Sequence, residues 1–339
     1  MKLISGPMAT LSHEGMRHLI SDFGFCDEYY TEMIHCPSLV SGGQYEKYYL
    51  FNNVEADKIV WQLTGSEAES FKEAAKIVSS YGGIGIDVNM GCSAPEIYRT
   101  GSGIAWMSKS ADEVKKLLSL VKNELEKSDS SCKRLSVKYR LGEEDFTEKS
   151  FLAFSSMLAD CGVTQLTLHP RSRKEKLCRP PRYEYCHRLS EYLSDKKVSV
   201  IVNGNVKDEE SFLQVKKDCP LCSGIMISRA AVQKPWIFNQ LSAIDSDEKK
   251  RTIDLYQTAK TFLDYMTESQ PEDFYQTRSQ RFFYYFCDNF MFANQLKARV
   301  GNLKNWKEIL KVFEDYFSRM PDERYKSVKL FPTVSGVAS

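Results

Sequence analysis

The segment NMGCSAPEIYRTGSG, residues 89–103, contains the cysteine whose surroundings are best suited to chemistry. Cys92 follows a glycine and precedes the small residues Ser93 and Ala94, just beyond a run of apolar and β-branched residues. Small neighbours leave room for a ring to approach the thiol, which could then act as a general acid. Most cysteines of a reduced protein are buried as small apolar groups, so a structural role for Cys92 is the alternative.

Polar side chains also stand near the C-terminal ends of five short, strand-like runs. They are Gln62, Asn89, Lys138, His169 and Asn203. Residues in a strand alternate between two faces, and in RLSVKYR (134–140) Lys138 falls on the polar face. Burial of five such groups costs free energy unless a polar ligand lies among them. We therefore expect them to line one site at a common rim.

The elements that must position these residues are strands and helices in alternation over the first two-thirds of the chain. The predicted strands are 3–8, 28–33, 58–65, 83–90, 134–140, 163–169, 198–203 and 224–228. This alternation predicts a parallel sheet with right-handed crossovers, and eight strands over roughly 230 residues match a closed (β/α)8 TIM barrel of the α/β class. An open doubly wound sheet is less favoured, because no G-x-G-x-x-G sequence follows the first strand.

Two helix starts have the spacing of a capping box, Ser66 with Glu69 and Ser110 with Glu113. After the second box, apolar residues fall on one helical face: Val114, Leu117, Leu118, Val121 and Leu125. We expect helices to begin at both boxes and to pack against the sheet.

The pattern changes near residue 248. Strand-like runs stop, helices rich in aromatic and amide residues follow, and residues 323–339 are predicted to be a loose tail. We therefore predict a catalytic barrel over residues 1–242 and a C-terminal all-helical domain over residues 243–339.

Composition limits the classes of function. The 339 residues include 46 Lys and Arg against 45 Asp and Glu, so any nucleic-acid contact must come from a local patch. The N-terminus lacks the apolar run of a signal peptide and no stretch approaches a membrane span, so we expect a cytoplasmic protein with no membrane contact. The ten cysteines are expected to be reduced, and the C-x-x-C sequence from Cys219 to Cys222 has no second pair at zinc spacing, so no metal site is predicted.

The loops after the seventh and eighth predicted strands read NGNV (203–206) and SRAA (228–231). Loops at these positions often bind phosphate in (β/α)8 barrels. Gly204 permits close approach of the backbone, and Arg229 supplies a charged donor to a phosphate. The loops therefore predict a phosphorylated cofactor, and Lys138 could stabilise the negative charge of a reduced flavin ring.

Nine short motifs lie along the chain in a characteristic order. They are GPMA (6–9), TEM (31–33), QLTG (62–65), DVNMGC (87–92), GSGIAW (101–106), SVKYRLG (136–142), LHPRSR (168–173), VNGNV (202–206) and MISRAAVQKPWIF (226–238). Together they resemble the tRNA-dihydrouridine synthase family, and the resemblance spans the whole chain. It implies an FMN-binding (β/α)8 barrel followed by a helical tRNA-binding domain.

The resemblance implies reduction of a uridine in tRNA to 5,6-dihydrouridine, with FMN as cofactor and NADPH as reductant. It implies that FMN is bound by Pro7, Met8, Ala9, Gln62, Lys138, His169, Asn203, Gly204, Asn205, Ser228 and Arg229. It makes Asn89 a contact for the target uracil and Cys92 the proton donor. Two positions depart from the family pattern: Ser93 stands where a proline usually follows the cysteine, and Ser228 stands where a glycine usually precedes the arginine.

A basic segment, HPRSRKEKLCRPPR (169–182), follows the sixth predicted strand on the same rim. Arg171, Arg173 and Lys176 are the predicted tRNA contacts, although basic runs are often only solvated surface. Cations of the C-terminal domain could hold the rest of the tRNA by its phosphates: Arg278, Arg281, Lys297, Arg299 and Lys304. No protein partner is evident.

Two other functions stay open. A flavoenzyme similar to dihydroorotate dehydrogenase would use an FMN barrel on a free pyrimidine, but it would need neither the basic loop nor the C-terminal helices. A non-catalytic tRNA-binding protein is the other alternative, and the departures at Ser93 and Ser228 are consistent with it. Orotate-linked turnover would identify the first, and purified protein without FMN would identify the second.

Overall fold

The computed structural model describes residues 1–175 and 178–333. Its strands are β1 Lys2–Ser5, β2 Glu28–Tyr30, β3 Ile34–His35, β4 Ile59–Thr64, β5 Gly85–Met90, β6 Arg134–Arg140, β7 Gln165–His169, β8 Ser199–Asn203, β9 Gly224–Ile227, β10 Lys250–Asp254 and β11 Tyr325–Lys329. Its helices are α1 Glu14–Phe23, α2 Cys36–Val40, α3 Glu46–Tyr49, α4 Ala68–Ser79, α5 Pro95–Arg99, α6 Ala111–Lys127, α7 Glu148–Asp160, α8 Glu184–Tyr192, α9 Glu209–Asp218, α10 Arg229–Gln233, α11 Ile237–Ser242, α12 Leu255–Ser269, α13 Glu272–Phe286, α14 Ala293–Asn302 and α15 Ile309–Phe317. In the part of the chain that the structure describes, no helix has the length and apolar character to cross a membrane.

The chain divides into two compact units. The barrel unit comprises residues 1–6, 27–206 and 210–227, and the helical unit comprises residues 7–26, 207–209 and those from 228 onward. The domain boundary predicted between residues 242 and 243 stays a prediction.

Parallel strands form a closed barrel in the barrel unit. The order of hydrogen-bonded neighbours is β2-β1-β9-β8-β7-β6-β5-β4-β3, and β2 also pairs with β4. That last pairing closes a ring of eight strands, with the short β3 added beside β4. Each of the eight predicted strands corresponds to one strand of this ring, so the predicted (β/α)8 barrel is confirmed and the open sheet is not formed.

The inner and outer faces of a barrel strand are clear on β6. Tyr139 faces outward, where its hydroxyl bonds to Ser155 of α7 at 2.7 Å. Ser136 faces inward and donates to Asp87 Oδ1 of β5 at 2.9 Å. Lys138 and Arg140 share the inward face with Ser136 because successive residues of a strand alternate. An apolar cluster shares the interior of the barrel, with Ile4, Tyr30, Val60, Ile201 and Met226 at most 1% exposed.

The two predicted capping boxes have different outcomes. The box at α6 is confirmed, since Ser110 Oγ accepts from the amide of Glu113 and the Glu113 carboxylate accepts from the amide of Ser110. The apolar face predicted after it is buried. The prediction of a capping box at α4 is wrong. The helix begins at Ala68 and its N-cap is Glu67, whose backbone is extended, so Ser66 lies one residue too early to cap the helix.

An aromatic core holds the helical unit together. Phe262 of α12 stacks on Phe282 of α13 with 3.6 Å between the ring centroids. Phe283 contacts Phe313 of α15 at 5.1 Å, and Phe290 lies 5.7 Å from Phe317. These rings connect three helices, as a bundle of this composition requires.

The helical unit also contains a small sheet that the sequence did not predict. β10 pairs antiparallel with β11, and Arg324 forms an ion pair with Asp254 at 2.6 Å beside it. The prediction that strands stop near residue 248 is therefore wrong, as is the prediction of a loose tail for residues 325–329. Each strand has only five residues, and its partner lies about 70 residues away along the chain, so local periodicity gives little signal.

Gly15 allows α1 to pack closely on α12 within the helical unit. A Cβ atom at this position would lie 2.6 Å from the carbonyl oxygen of Tyr265, a backbone atom that cannot turn away. The Gly15 amide also donates to Ser269 Oγ at 3.1 Å. We expect Gly15→Ala to destabilise the protein by about 1–3 kcal/mol and to lower the midpoint of thermal unfolding. Gly301 of α14 has no atom within 4 Å of such a Cβ, so Gly301→Ala is the control and should not lower it.

Candidate active site

A chain of side-chain amides fixes the backbone at Cys92. Asn89 Oδ1 accepts from the amides of Gly91 at 3.1 Å and Cys92 at 2.9 Å. Asn89 Nδ2 donates to Gln62 Oε1, and Gln62 Nε2 donates to Asp87 Oδ2, each at 2.9 Å. All three side chains are buried. The turn that carries Cys92 is therefore held from inside the barrel.

Gly103 supports the same turn from the other side. Its φ is +61°, and a Cβ atom there would lie 2.6 Å from the carbonyl oxygen of Cys92 and 3.1 Å from its Cβ. The next residue, Ile104, donates its amide to that carbonyl at 3.0 Å. Only glycine combines this conformation with this approach without strain. Gly103 lies in the GSGIAW motif (101–106), but this contact with Cys92 was not predicted from the sequence.

The Cys92 thiol is partly buried, and burial raises its pKa. A backbone hydrogen bond from Ala94 and the positive charges of Lys138 and Arg140 act in the opposite direction but do not reverse the shift. At neutral pH the group is therefore a thiol and carries its proton. A thiol in this state can donate a proton but is a weak nucleophile.

Lys138 lies beside this turn on β6, where its Cα pairs with that of Asn89 on β5. Burial lowers the pKa of its ammonium to about 8, and nearby Arg140 lowers it as well, against the charge of Asp87. Its ammonium makes no hydrogen bond or ion pair with any residue the structure describes. A partly buried cation in this position is suited to an anionic or strongly polar ligand.

His169 lies on the adjacent strand β7, where its Cα pairs with that of Arg140. Arg171 Nη1 lies 2.8 Å from His169 Nε2. Because a guanidinium can only donate, Nε2 accepts and the neutral ring carries its proton on Nδ1. Arg171 is 1% exposed, and its Nε donates to the Arg179 carbonyl at 2.5 Å. The guanidinium is thus directed at the histidine and not at solvent, and its predicted tRNA contact stays a prediction.

The loop after β8 packs against the same histidine. Gly204 and Asn205 have φ of +137° and +56°, values that few other residues adopt readily. A Cβ atom at Gly204 would lie 3.4 Å from His169 Cδ2, and the Gly204 carbonyl accepts from the Tyr183 hydroxyl at 2.7 Å. Asn203 is tied to the barrel through Nδ2, which donates to the Met226 carbonyl at 3.0 Å.

The remaining predicted cofactor residues belong to the helical unit. Pro7, Met8 and Ala9 precede α1, and the Met8 carbonyl accepts from the amides of Leu11 and Ser12. Arg229 is the first residue of α10, and Ser228 directly precedes it. The Ser228 carbonyl accepts from the amides of Ala231 and Val232, and the hydroxyl of Ser228 caps nothing.

Arg140 and Asp87 also belong to the barrel site, although neither was predicted from the sequence. Arg140 Nε donates to the Gly91 carbonyl at 3.0 Å, and burial, followed by the charge of Arg171, lowers the pKa of Arg140 to about 10. Burial raises the pKa of Asp87 to about 6, against its hydrogen bonds from Gln62 and Ser136. The alternation of faces along a strand could have identified both residues. Arg140 lies two residues after Lys138 and Asp87 lies two residues before Asn89, so each shares a face with a predicted site residue.

Several cations of the basic segment after β7 form ion pairs with carboxylates of this protein. Arg173 Nε lies 2.7 and 2.8 Å from the two carboxylate oxygens of Glu143, and its guanidinium lies 4.3 Å from the centre of the Tyr98 ring. Lys174 pairs with Glu144 at 2.9 Å. The predicted contact Lys176 lies outside the described residues. Across residues 1–175 and 178–333, no cluster of three or more His, Cys, Asp or Glu is arranged to bind a metal ion.

A closed parallel barrel with polar and ionisable side chains at the C-terminal ends of its strands defines an enzyme of the (β/α)8 class. The family model described as dihydrouridine synthase (Dus) matches residues 3–321. The chain belongs to this family, and the resemblance identified from the motifs is confirmed.

Curated relatives agree with this membership. The chain is 30% identical over 241 residues to the probable tRNA-dihydrouridine synthase of Helicobacter pylori, a match that covers 70% of this chain and 69% of that one. It is 26% identical over 268 residues to tRNA-dihydrouridine synthase B of Pasteurella multocida, covering 79% and 77%. It is 25% identical over 340 residues to tRNA-dihydrouridine(16) synthase of Shewanella oneidensis, covering 93% and 98%.

Proposed function

We propose that this enzyme reduces a uridine of tRNA to 5,6-dihydrouridine, with FMN as its cofactor and NADPH as the reductant. The observation that carries the proposal is the position of the Cys92 thiol just beyond β5, where Asn89 holds its turn and Lys138 lies on the adjacent strand without an ion pair to any described residue. Family membership and the names of the relatives support the choice of substrate.

Lys138 and the loop after β8 suit the ring and the phosphate of a flavin, respectively. Lys138 offers an ammonium without a partner among the described side chains, and Gly204 offers an open turn beside His169. We propose that these residues bind FMN together with Gln62, Asn203, Asn205, Pro7, Met8, Ala9, Ser228 and Arg229. When bound, FMN would supply the hydride chemistry, with NADPH as the source of reducing equivalents.

The side chains of this protein then have separate tasks. The Cys92 thiol donates its Sγ proton to the uracil carbon next to the one that receives the hydride. The Asn89 carbonyl oxygen is already used by the turn, so any contact of Asn89 with uracil must come from the second N–H of its Nδ2. Asp87, through Gln62, holds that amide in the required orientation.

The target base must leave its stack to reach the barrel, which requires contacts to the RNA backbone nearby. We propose Arg173 and Lys176 as such contacts. Arg171 donates a hydrogen bond to His169 in the structure, and a contact of Arg171 with tRNA stays a prediction. We also propose that residues 243–339 form a tRNA-binding domain and that residues 1–242 form the catalytic domain. Arg278 is 3% exposed and does not reach the surface, so we leave it out of the tRNA contacts. A cytoplasmic location and the absence of a protein partner stay predictions.

The affinity for FMN should depend on the charge of Lys138. An anionic ligand favours the ammonium form, which is lost as the pH rises through about 8. We therefore expect the Kd for FMN, measured by quenching of flavin fluorescence, to rise between pH 7 and pH 9. Lys138→Met should bind more weakly and show no such dependence in this range. An unchanged pH dependence in that variant would mean that another group is responsible.

The direct test of the proposed function is conversion of unmodified tRNA. Purified protein with FMN and NADPH should form dihydrouridine, detected after nuclease digestion by mass spectrometry, and tRNA from cells lacking the protein should lack it at one or more positions. Turnover of orotate or dihydroorotate without tRNA conversion would support the free-pyrimidine alternative. Protein that purifies without flavin and takes up none would support the non-catalytic one.

A further inference from the structure

Three large apolar side chains lie exposed around the connection between α13 and α14. Tyr284 is 52% exposed, Met291 is 74% exposed and Phe292 is 47% exposed. Tyr284 belongs to the last turn of α13, and Phe292 directly precedes α14. We call these three residues the α13–α14 patch.

The helical unit does not use this patch in its own core. The neighbouring rings of α13, Phe282, Phe283 and Phe286, are fully buried and contact one another and Phe313. The core is therefore complete with the patch left outside it. Large apolar groups left exposed close to one another along the chain, beyond what the core requires, favour an interaction surface.

Cations accompany the exposed rings. Lys297 Nζ lies 4.7 Å from the centre of the Tyr284 ring, and the Arg281 guanidinium lies 5.6 Å from the centre of the neighbouring Tyr285 ring. Residues 279–311 contain six Lys and Arg against two Asp and Glu, in a chain whose net charge is +1. Local positive charge of this kind favours a polyanionic partner over a neutral apolar one.

We propose that the α13–α14 patch stacks on unpaired nucleobases of the tRNA, while Arg281 and Lys297 bind the adjoining phosphates. The proposal rests on the proposed function, because it takes tRNA as the substrate. Aromatic faces beside cations are how proteins bind unpaired RNA without a fixed sequence. Lys297 pairs with Asp288 at 2.6 Å, and the two side chains are 18% and 43% exposed, so an RNA phosphate at Lys297 must compete with this carboxylate.

The test measures binding of unmodified tRNA to the full-length protein at several salt concentrations. Tyr284→Ala and Phe292→Ala should each weaken binding about tenfold, with no change in salt dependence because neither removes a charge. Tyr284→Phe keeps the ring and should bind like the wild type. Arg281→Gln should weaken binding and reduce the slope of log K against log salt by about one.

Tyr192→Ala is the matched control, because Tyr192 is 50% exposed but lies on α8 of the barrel unit. It should bind tRNA like the wild type. Wild-type affinity in the Tyr284→Ala/Phe292→Ala double variant would overturn the inference. So would altered sedimentation of that variant at unchanged tRNA affinity, which would assign the patch to a protein contact. Since binding is measured without turnover, failure of the wild type to form dihydrouridine would count separately, against the proposed function.

Discussion

Cys92→Ala should form dihydrouridine in tRNA at least ~100-fold more slowly than the wild type, the usual contribution of a positioned general acid. The variant should fold normally, retain FMN, be reduced by NADPH and bind tRNA. Its small side chain leaves the hydrogen bonds of Asn89 to the turn in place, because these are made to backbone amides. Only the step that needs a proton at the uracil carbon should be lost.

Stopped-flow absorbance separates the two half-reactions. Flavin reduction by NADPH should be unchanged in Cys92→Ala, and flavin reoxidation by tRNA should collapse. In the wild type, reoxidation should decline only above the usual range of a cysteine pKa, because burial raises the pKa of Cys92 and the acid acts in its protonated form. Cys161→Ala is the control, since Cys161 is also partly buried in the barrel unit but lies at the end of α7. Reoxidation at the wild-type rate in Cys92→Ala would make Cys92 a packing residue.

The barrel could be predicted from the sequence because its elements are local. Each strand is a short run of β-branched and apolar residues, and the intervening helices are amphipathic. The spacing of apolar residues along the chain therefore distinguishes strands from helices. The candidate site was predicted from the same pattern, and the structure pairs Asn89 with Lys138 near the C-terminal ends of adjacent strands, although the roles of these residues stay predictions. The β10–β11 sheet was missed because it depends on pairing between distant segments, which no local pattern shows.

What a side chain does within the site was harder to predict than its place. Arg171 has the type and position of a surface phosphate contact, yet in the structure it is buried against His169. Arg173 has the same type two residues later, and it pairs with Glu143. The residue type fixes the charge of an arginine side chain, but the group that it contacts depends on the fold. Gly103 went unassigned for the same reason, because its contact with Cys92 crosses a loop of ten residues.

Gly103→Ala should be almost as damaging to catalysis as removal of the thiol, although it leaves every reactive group in the protein. The new methyl group would have to share space with the Cys92 carbonyl oxygen, 2.6 Å away, in a conformation that L-residues adopt rarely. The turn must therefore move, and with it the thiol. Displacement of a reactive group by about 1 Å can cost a factor of about 100 in rate.

The measurement is again the rate of flavin reoxidation by tRNA, which should fall while FMN retention and reduction by NADPH persist. Gly101→Ala is a matched control: Gly101 has a similar φ of +78°, but the nearest atom to a Cβ there is 3.6 Å away. Backbone strain alone should lower stability to a similar degree in both variants, whereas only Gly103→Ala moves Cys92. A thiol-specific reagent should accordingly modify Cys92 at an altered rate in Gly103→Ala alone. Equal losses of activity in the two variants would show that strain, and not the position of the thiol, controls the rate.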